Sequence, residues 1–298
     1  MNFWNRLKAD KMAVLCMSLL SAVILAGIFA PVLAPHSPIE MNILQKYAGV
    51  SQTYPLGTDQ LGRCILSRLL FGIRTTILFA LVTTAITIAI GTILGIISGF
   101  FRGKVDEFIM RICDIMLSFP AEVMILAIVG VLGPGLLNVV IANIIAKWAW
   151  YTRMIRSVVI QYTDKNYIRF AQVSGCSTGY IMRKHLLPGV SGEVAVFATL
   201  DTGWVILNIS ALSFLGLGVQ APTPEWGMML NEAKNVMITH PTHMLAPGFA
   251  ILLVVAAFNF LGDSLHSAIN PKLFQKKKKG GRLNVFIRNK KVISRRHT

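Results

Sequence analysis

Three groups of side chains in this sequence have the types and spacing to do chemistry. Asp201 is a lone carboxylate about eight residues into an apolar run, Val194 to Leu215. A carboxylate at mid-bilayer costs about 2.5–3.5 kcal/mol on insertion scales, so it faces a charged partner or a watery path. Lys147 is a candidate partner, and a route for a divalent metal cation is the competing reading. Such cations favour oxygen and nitrogen ligands, but one carboxylate is no binding site. His240 and His243 lie in a polar segment beside Met237 and Met244. They can touch an arriving metal, or serve only as polar surface. The third group is the stretch Arg153 to Gly192, with six Lys/Arg and the single acid Asp164.

The missing chemistry is equally informative. The chain has no G-x-x-x-x-G-K-[ST] loop to cradle nucleotide phosphates, no metalloprotease His–Glu spacing and no G-x-S-x-G nucleophile elbow. Cys16, Cys64, Cys113 and Cys176 show no C-x-x-C spacing, so neither a disulfide framework nor a zinc site is expected. No catalytic residue, no cofactor and no enzymatic activity are expected. Any uphill work needs an outside energy source.

The elements that position these residues are membrane spans. Of the 298 residues, 54% are hydrophobic and only 14% charged, against about 25% charged in soluble domains. The apolar residues also cluster in runs long enough to cross a bilayer. Six spans are expected: Ala13–Pro35, Thr75–Phe101, Cys113–Leu132, Leu136–Tyr151, Val194–Leu215 and Met244–Gly262. The first exceeds the 7–15 apolar residues of a secretory signal and is read as a span. The third contains Pro120, and Gly133-Pro134-Gly135 after it predicts a tight turn. Trp148, Trp150 and Tyr151 read as interfacial anchors.

The net charge of +16 would suggest nucleic acid in a soluble protein. Here 23 of the 29 Lys/Arg fall on one side of a six-span topology and four on the other. The positive-inside rule then places both termini and the 153–192 segment in the cytosol, with no nucleic-acid partner. A basic tail from Asn270 reads as a solvated arm with some capacity for anionic lipid. Within the basic segment, Tyr167–Ser174 predicts a short helix and Gly175 a sharp turn. Tyr180–Leu187 predicts a second helix, ended by Pro188. This folded, basic helix–Gly–helix between spans is a handle for a soluble partner.

The residues resemble a family. Ala171, Gly175, Leu187 and Pro188 match the E-A-A-x-x-x-G…L-P loop of binding-protein-dependent ABC importer permeases, with Arg169 and Phe170 in place of its Glu and first Ala. Leu56 to Arg63, with Ser67-Arg68, resembles the L-G-T-D-x-L-G-R-D-x-x-S-R signature of the peptide/nickel subfamily, Cys64 replacing an Asp. Ser213 to Gly218 with Pro222 and Glu225-Trp226-Gly227, and Asp106, Arg111, Asp114 and Phe119-Pro120, resemble further motifs. Trp148 to Ser157 and Ala198 to Gly203 look most like the nickel branch.

The resemblance implies an all-α, type-1 (MetI-like) permease fold with a cytosolic coupling helix, in a bacterial inner membrane. It implies a "C" subunit forming half of a translocation path. The partners would be a homologous permease, two ABC ATPases and an extracytoplasmic binding protein docking on the outer loops at 36–72 and 216–243. Arg169, Phe170, Ala171, Gly175, Leu187 and Pro188 would couple to the ATPase. The cargo would be nickel, free or chelated, with di- or oligopeptide as the alternative. A non-transporting membrane scaffold is a third, remote reading. The expected division is 1–72 for the lead, first span and outer loop, 73–266 for the permease domain and 267–298 for the tail.

Overall fold

The computed structural model describes residues 3–269, so the predicted basic tail from Asn270 lies outside them. Among the described residues the regular structure is helical, apart from one isolated bridge between Thr58 and Cys64.

A short basic helix, α1 (Phe3–Ala9), leads into α2 (Lys11–Ile28), where the Asp10 carboxylate accepts the Met12 N–H at 3.1 Å. After α3 (Ala30–Leu33) a loop leads to α4 (Ile65–Phe101). At 1.5 Å per residue the 37 residues of α4 span about 55 Å, well beyond the hydrocarbon core. There follow α5 (Gly103–Leu117), α6 (Ala121–Leu132), α7 (Leu136–Thr163), α8 (Asn166–Val173) and α9 (Thr178–Ile181). The chain closes with α10 (Leu187–Phe214), α11 (Trp226–Ala233) and α12 (Thr242–Ile269).

The central seam joins α4 to α7. Hydrocarbon gives helices no hydrophobic drive to associate, so close packing of small residues must supply it. Gly91, Gly95 and Gly99, four apart on one face of α4, let the α7 backbone approach. A Cβ on Gly91 would fall 2.3 Å from the Tyr151 Cβ, and one on Gly95 2.9 Å from the Thr152 carbonyl. Further along, Gly72 makes room for the Trp226 ring in the same way.

The helices define two ends. At the handle end lie α1, whose Arg6 donates to the Ala268 carbonyl at 3.3 Å, the α4–α5 junction and α8–α9. At the loop end lie the 36–64 segment, the turn at Gly133–Gly135, which donates from Gly135 to the Leu217 carbonyl at 3.1 Å, and α11.

The expected spans hold in part. Four helices, α2, α4, α9–α10 taken together and α12, are long and apolar enough to cross a membrane; the pair α5 and α6 makes a fifth if counted as one span. Three differences have physical causes. The predicted third span is broken by 80° between α5 and α6, because Pro120 has no N–H to continue a helix and caps the next one instead. Residues Arg153 to Thr163, read as part of a loop, are the last turns of α7. Pro188 does not end a helix: α9 runs into α10 through a π-helical turn, Met182–Leu186. There the Leu187 N–H reaches back five residues to Met182, one way a helix absorbs a proline.

Candidate functional site

The handle is built as the residue pattern dictates. On α8, Ile168 and Ala171 are buried, while Tyr167, Phe170 and Val173 point outward; Phe170 is 72% and Val173 88% exposed. Two apolar faces on one eight-residue helix exceed what its own packing needs, since one face suffices to dock it. Gly175 takes φ +77°, and the space around its missing Cβ is open, so the turn itself needs the glycine and no neighbour does. Ser177 then caps α9, accepting the Tyr180 N–H.

The buried face of the handle is seated on the seam. Ile168, Ala171, Ile181 and Leu186 belong to one apolar cluster with Ile96 of α4 and Tyr151, Ile155 and Val159 of α7. Ion pairs brace the same end. Arg156 is bidentate to Asp106 at 2.5 Å for each contact, and Ser98 donates to the same carboxylate. Arg153 pairs with Asp114, and Arg102 reaches Asp164 at 3.0 Å and Thr163 at 2.9 Å. The apolar seat of α8 thus lies on α4 and α7, and ion pairs tie α5 to the same end. The predicted coupling residues divide accordingly. Arg169, Phe170, Ala171 and Gly175 share the handle, whereas Leu187 and Pro188 open α10. Arg169 lies 3.7 Å from Asp164, with both side chains largely exposed.

Asp201 sits further along α10 and has a partner. Its Oδ1 accepts from Lys147 at 2.8 Å, and the Lys147 ammonium also lies 3.3 Å from the centroid of the Trp204 ring. The buried Tyr151 hydroxyl faces Asp201 as well. His240 and His243 are at the loop end, stacked with Tyr47 at centroid separations of 4.5 and 5.7 Å. Among the described residues no three His, Cys, Asp or Glu side chains are grouped to hold a metal ion.

The loop end holds a cluster that reading the sequence missed. Asp59 accepts from Arg63 Nε at 2.7 Å and from Arg68 at 2.6 Å; Glu232 accepts from the same two arginines at 2.9 and 2.5 Å. Both arginines are 1% exposed. Burial opposes the charge on Asp59, but Arg68 and Arg63, with the Leu61 and Arg63 N–H groups, hold its carboxyl below the usual carboxylate range. The network ties the 36–64 loop to α11. Its signal in the sequence was Arg63 and Arg68 in a segment with too few local acids, but nothing local pointed to Glu232. Nearby, the fully buried Glu225 caps α11 through the Met228 N–H at 2.8 Å and accepts from Thr76 at 3.1 Å. Burial pushes its carboxyl up, against the hydrogen bonds it accepts.

A helical bundle with a braced pair of short helices at one end is compatible with a transport permease, and comparison with known proteins shows the family. Residues 91–275 match the profile of the "Binding-protein-dependent transport system inner membrane component" family, and residues 1–49 that of the "N-terminal TM domain of oligopeptide transport permease C". The chain belongs to this family of binding-protein-dependent permeases, in its peptide/nickel branch.

It is 47% identical over 274 residues to the metal-staphylopine import system permease CntC of Staphylococcus aureus (Mu50), covering 92% of this chain and 95% of that one. The dipeptide permease DppC of Alkalihalophilus pseudofirmus is 39% identical, over 91% and 89% of the two chains. The nickel permease NikC of Escherichia coli K12 is 36% identical, over 80% and 86%. An inward-facing structure of the MetNI methionine ABC transporter shares the fold, with TM-score 0.55 and 17% identity over 68% of this chain and 97% of that one.

Proposed function

We propose that this chain is one of two permease subunits of an ATP-driven importer, and that ATPase subunits grip it at α8. The observation that carries this reading is the handle: an apolar seat on the α4–α7 seam, and above it Phe170 and Val173 turned away from the protein. On this reading the ATPases close around nucleotide and bias two states of the bundle, and the apolar seat and the Arg156–Asp106 brace carry the motion inward. Gly175 sets the angle of the handle, and a binding protein docks on the outer loops.

The chain crosses the membrane six times on this reading, with both ends and the handle in the cytosol. Asn138, Asn143, Lys147 and Arg153 make α7 more polar than a free-standing span, yet Lys147 and Arg153 find acidic partners on α10 and α5. A paired charge in the bundle is compatible with a crossing in a way an unpaired one is not. The excess of Lys/Arg at the handle end supports a cytosolic placement.

The proposed cargo is a metal, free or chelated, supported by the likeness to the metal-staphylopine and nickel permeases. Asp201 then serves as the internal partner of Lys147 rather than as a metal ligand. Peptide import is the second reading, favoured by the dipeptide permease at 39% identity. Two measurements test the proposal. Phe170→Asp should leave assembly intact and abolish uptake together with stimulation of ATP hydrolysis by loaded binding protein; normal coupled uptake by that variant would overturn the handle assignment. Cells carrying the intact importer should take up radiolabelled nickel, alone or with a chelator, and competition by dipeptides alone would favour the second cargo.

A further inference from the structure

Arg74 of α4 carries a charge at the edge of the apolar part of that helix. It is exposed and has neither an ion pair nor a hydrogen bond among the described residues. It immediately precedes the uncharged stretch Thr75–Phe101. Arg102, at the other end of that stretch, is held by Asp164 and Thr163. The two arginines bracket the apolar length of α4, which puts Arg74 at the depth of headgroups on the loop side.

Beside Arg74, α2 and α4 cross. A Cβ on Gly27 would lie 2.6 Å from Ile73 Cγ2 and 3.7 Å from the Arg74 stem. From that crossing a groove opens between the helices, lined by Ile24, Ile28, Ile77, Leu78 and Leu81. From Ile73 to Leu81 it follows α4 for about 12 Å, close to the depth of one leaflet of a core about 30 Å thick. Ile28 and Leu78 are more than half exposed along it. The groove is thus apolar over one leaflet, with a single unpaired cation at its interfacial end. That polarity profile belongs to a lipid molecule, since a neighbouring span would not need a charge at one end only.

We propose that α2 and α4 hold an anionic glycerophospholipid, one acyl chain in the groove and the phosphate on Arg74. The planar guanidinium offers two parallel donors that match phosphate oxygens. The choice of leaflet rests on the orientation proposed above; the binding itself does not, and neither depends on the cargo.

The test uses the full-length chain, purified in detergent with its associated subunits, stripped of lipid and titrated with phosphatidylglycerol or phosphatidylcholine under native mass spectrometry. One phosphatidylglycerol per chain should bind, at least tenfold more tightly than phosphatidylcholine. Arg74→Gln should remove the preference, Arg74→Lys should keep most of it, and Leu78→Trp should weaken both lipids by filling the groove. Unchanged preference in Arg74→Gln would overturn the proposal. A photo-cross-linker at position 78 of the otherwise wild-type chain gives a second readout: reaction with phospholipid supports the site, and reaction with a neighbouring subunit overturns it.

Discussion

The pair between Lys147 and Asp201 makes a prediction that separates its structural reading from a cation route. Removing one partner of a buried ion pair costs about 3–5 kcal/mol, because a charge is left without compensation. The two single changes are unequal here. In Asp201→Asn, Lys147 keeps its place over Trp204 at 3.3 Å, a contact worth about 2 kcal/mol when desolvated. With the Lys147 side chain also 17% exposed, the net loss should be about 1–3 kcal/mol. In Lys147→Met, Asp201 loses its one charged donor and keeps only the neutral Tyr151 hydroxyl beside it. That change should cost the full amount. The double variant leaves no orphaned charge and should recover to within about 1 kcal/mol of the parent.

Thermal unfolding in detergent should therefore rank the parent and the double variant above Asp201→Asn, and Asp201→Asn above Lys147→Met. Uptake should follow the same order. A double variant no more stable than Lys147→Met would refute the pairing argument. A fully stable Asp201→Asn that had lost metal uptake alone would restore Asp201 to the cation path.

Other consequences follow from the packing and from the loop-end cluster. Gly91→Ala places a Cβ 2.3 Å from that of Tyr151 and should cost about 1–3 kcal/mol by forcing the seam apart. Gly130→Ala, where nothing lies within 4 Å, should be neutral in the same unfolding assay. Asp59 has a depressed carboxyl in the folded protein. Its contribution is therefore complete above its unfolded value, about pH 3.9, and is lost as pH falls through the lower folded value. Hydrogen-exchange protection factors in residues 45–64, corrected for the intrinsic pH dependence of amide exchange, should be flat from pH 5 to 8 and fall only in stronger acid. Glu232→Ala leaves two buried arginines sharing one carboxylate and should loosen the same residues at neutral pH, read as faster proteolysis of the 36–64 loop.

Local signals carried much of this architecture, and distant partners carried the remainder. The uncharged run from Thr75 marked most of α4, and Gly175 marked the turn of the handle, because each depends on residues close in sequence. Arg153 and Arg156 were misread as loop because their charge looked exposed; their partners Asp114 and Asp106 lie about forty to fifty residues earlier, on α5. The signature from Leu56 was recognisable as a pattern at Asp59, Arg63 and Arg68, but its chemistry needed Glu232, 164 residues from Arg68. Pro120 and Pro188 show the limit of a rule about residue type. One breaks a helix by 80°, while the other is absorbed by a π-helical turn, and surrounding contacts decide which. Asp201 and Lys147 were named as candidate partners, and their contact is present in the fold.

The central claim is that α8 is gripped from the cytosol by a motor subunit. Its most direct test is a single cysteine at Phe170, in a variant with the four native cysteines replaced, probed in sealed vesicles of known orientation. The account predicts that a membrane-impermeant thiol reagent reaches this cysteine only from the cytosolic side. It also predicts cross-linking to an ATPase subunit, with loss of uptake once the link forms. Labelling from the outer side, or full uptake with the link in place, would contradict it.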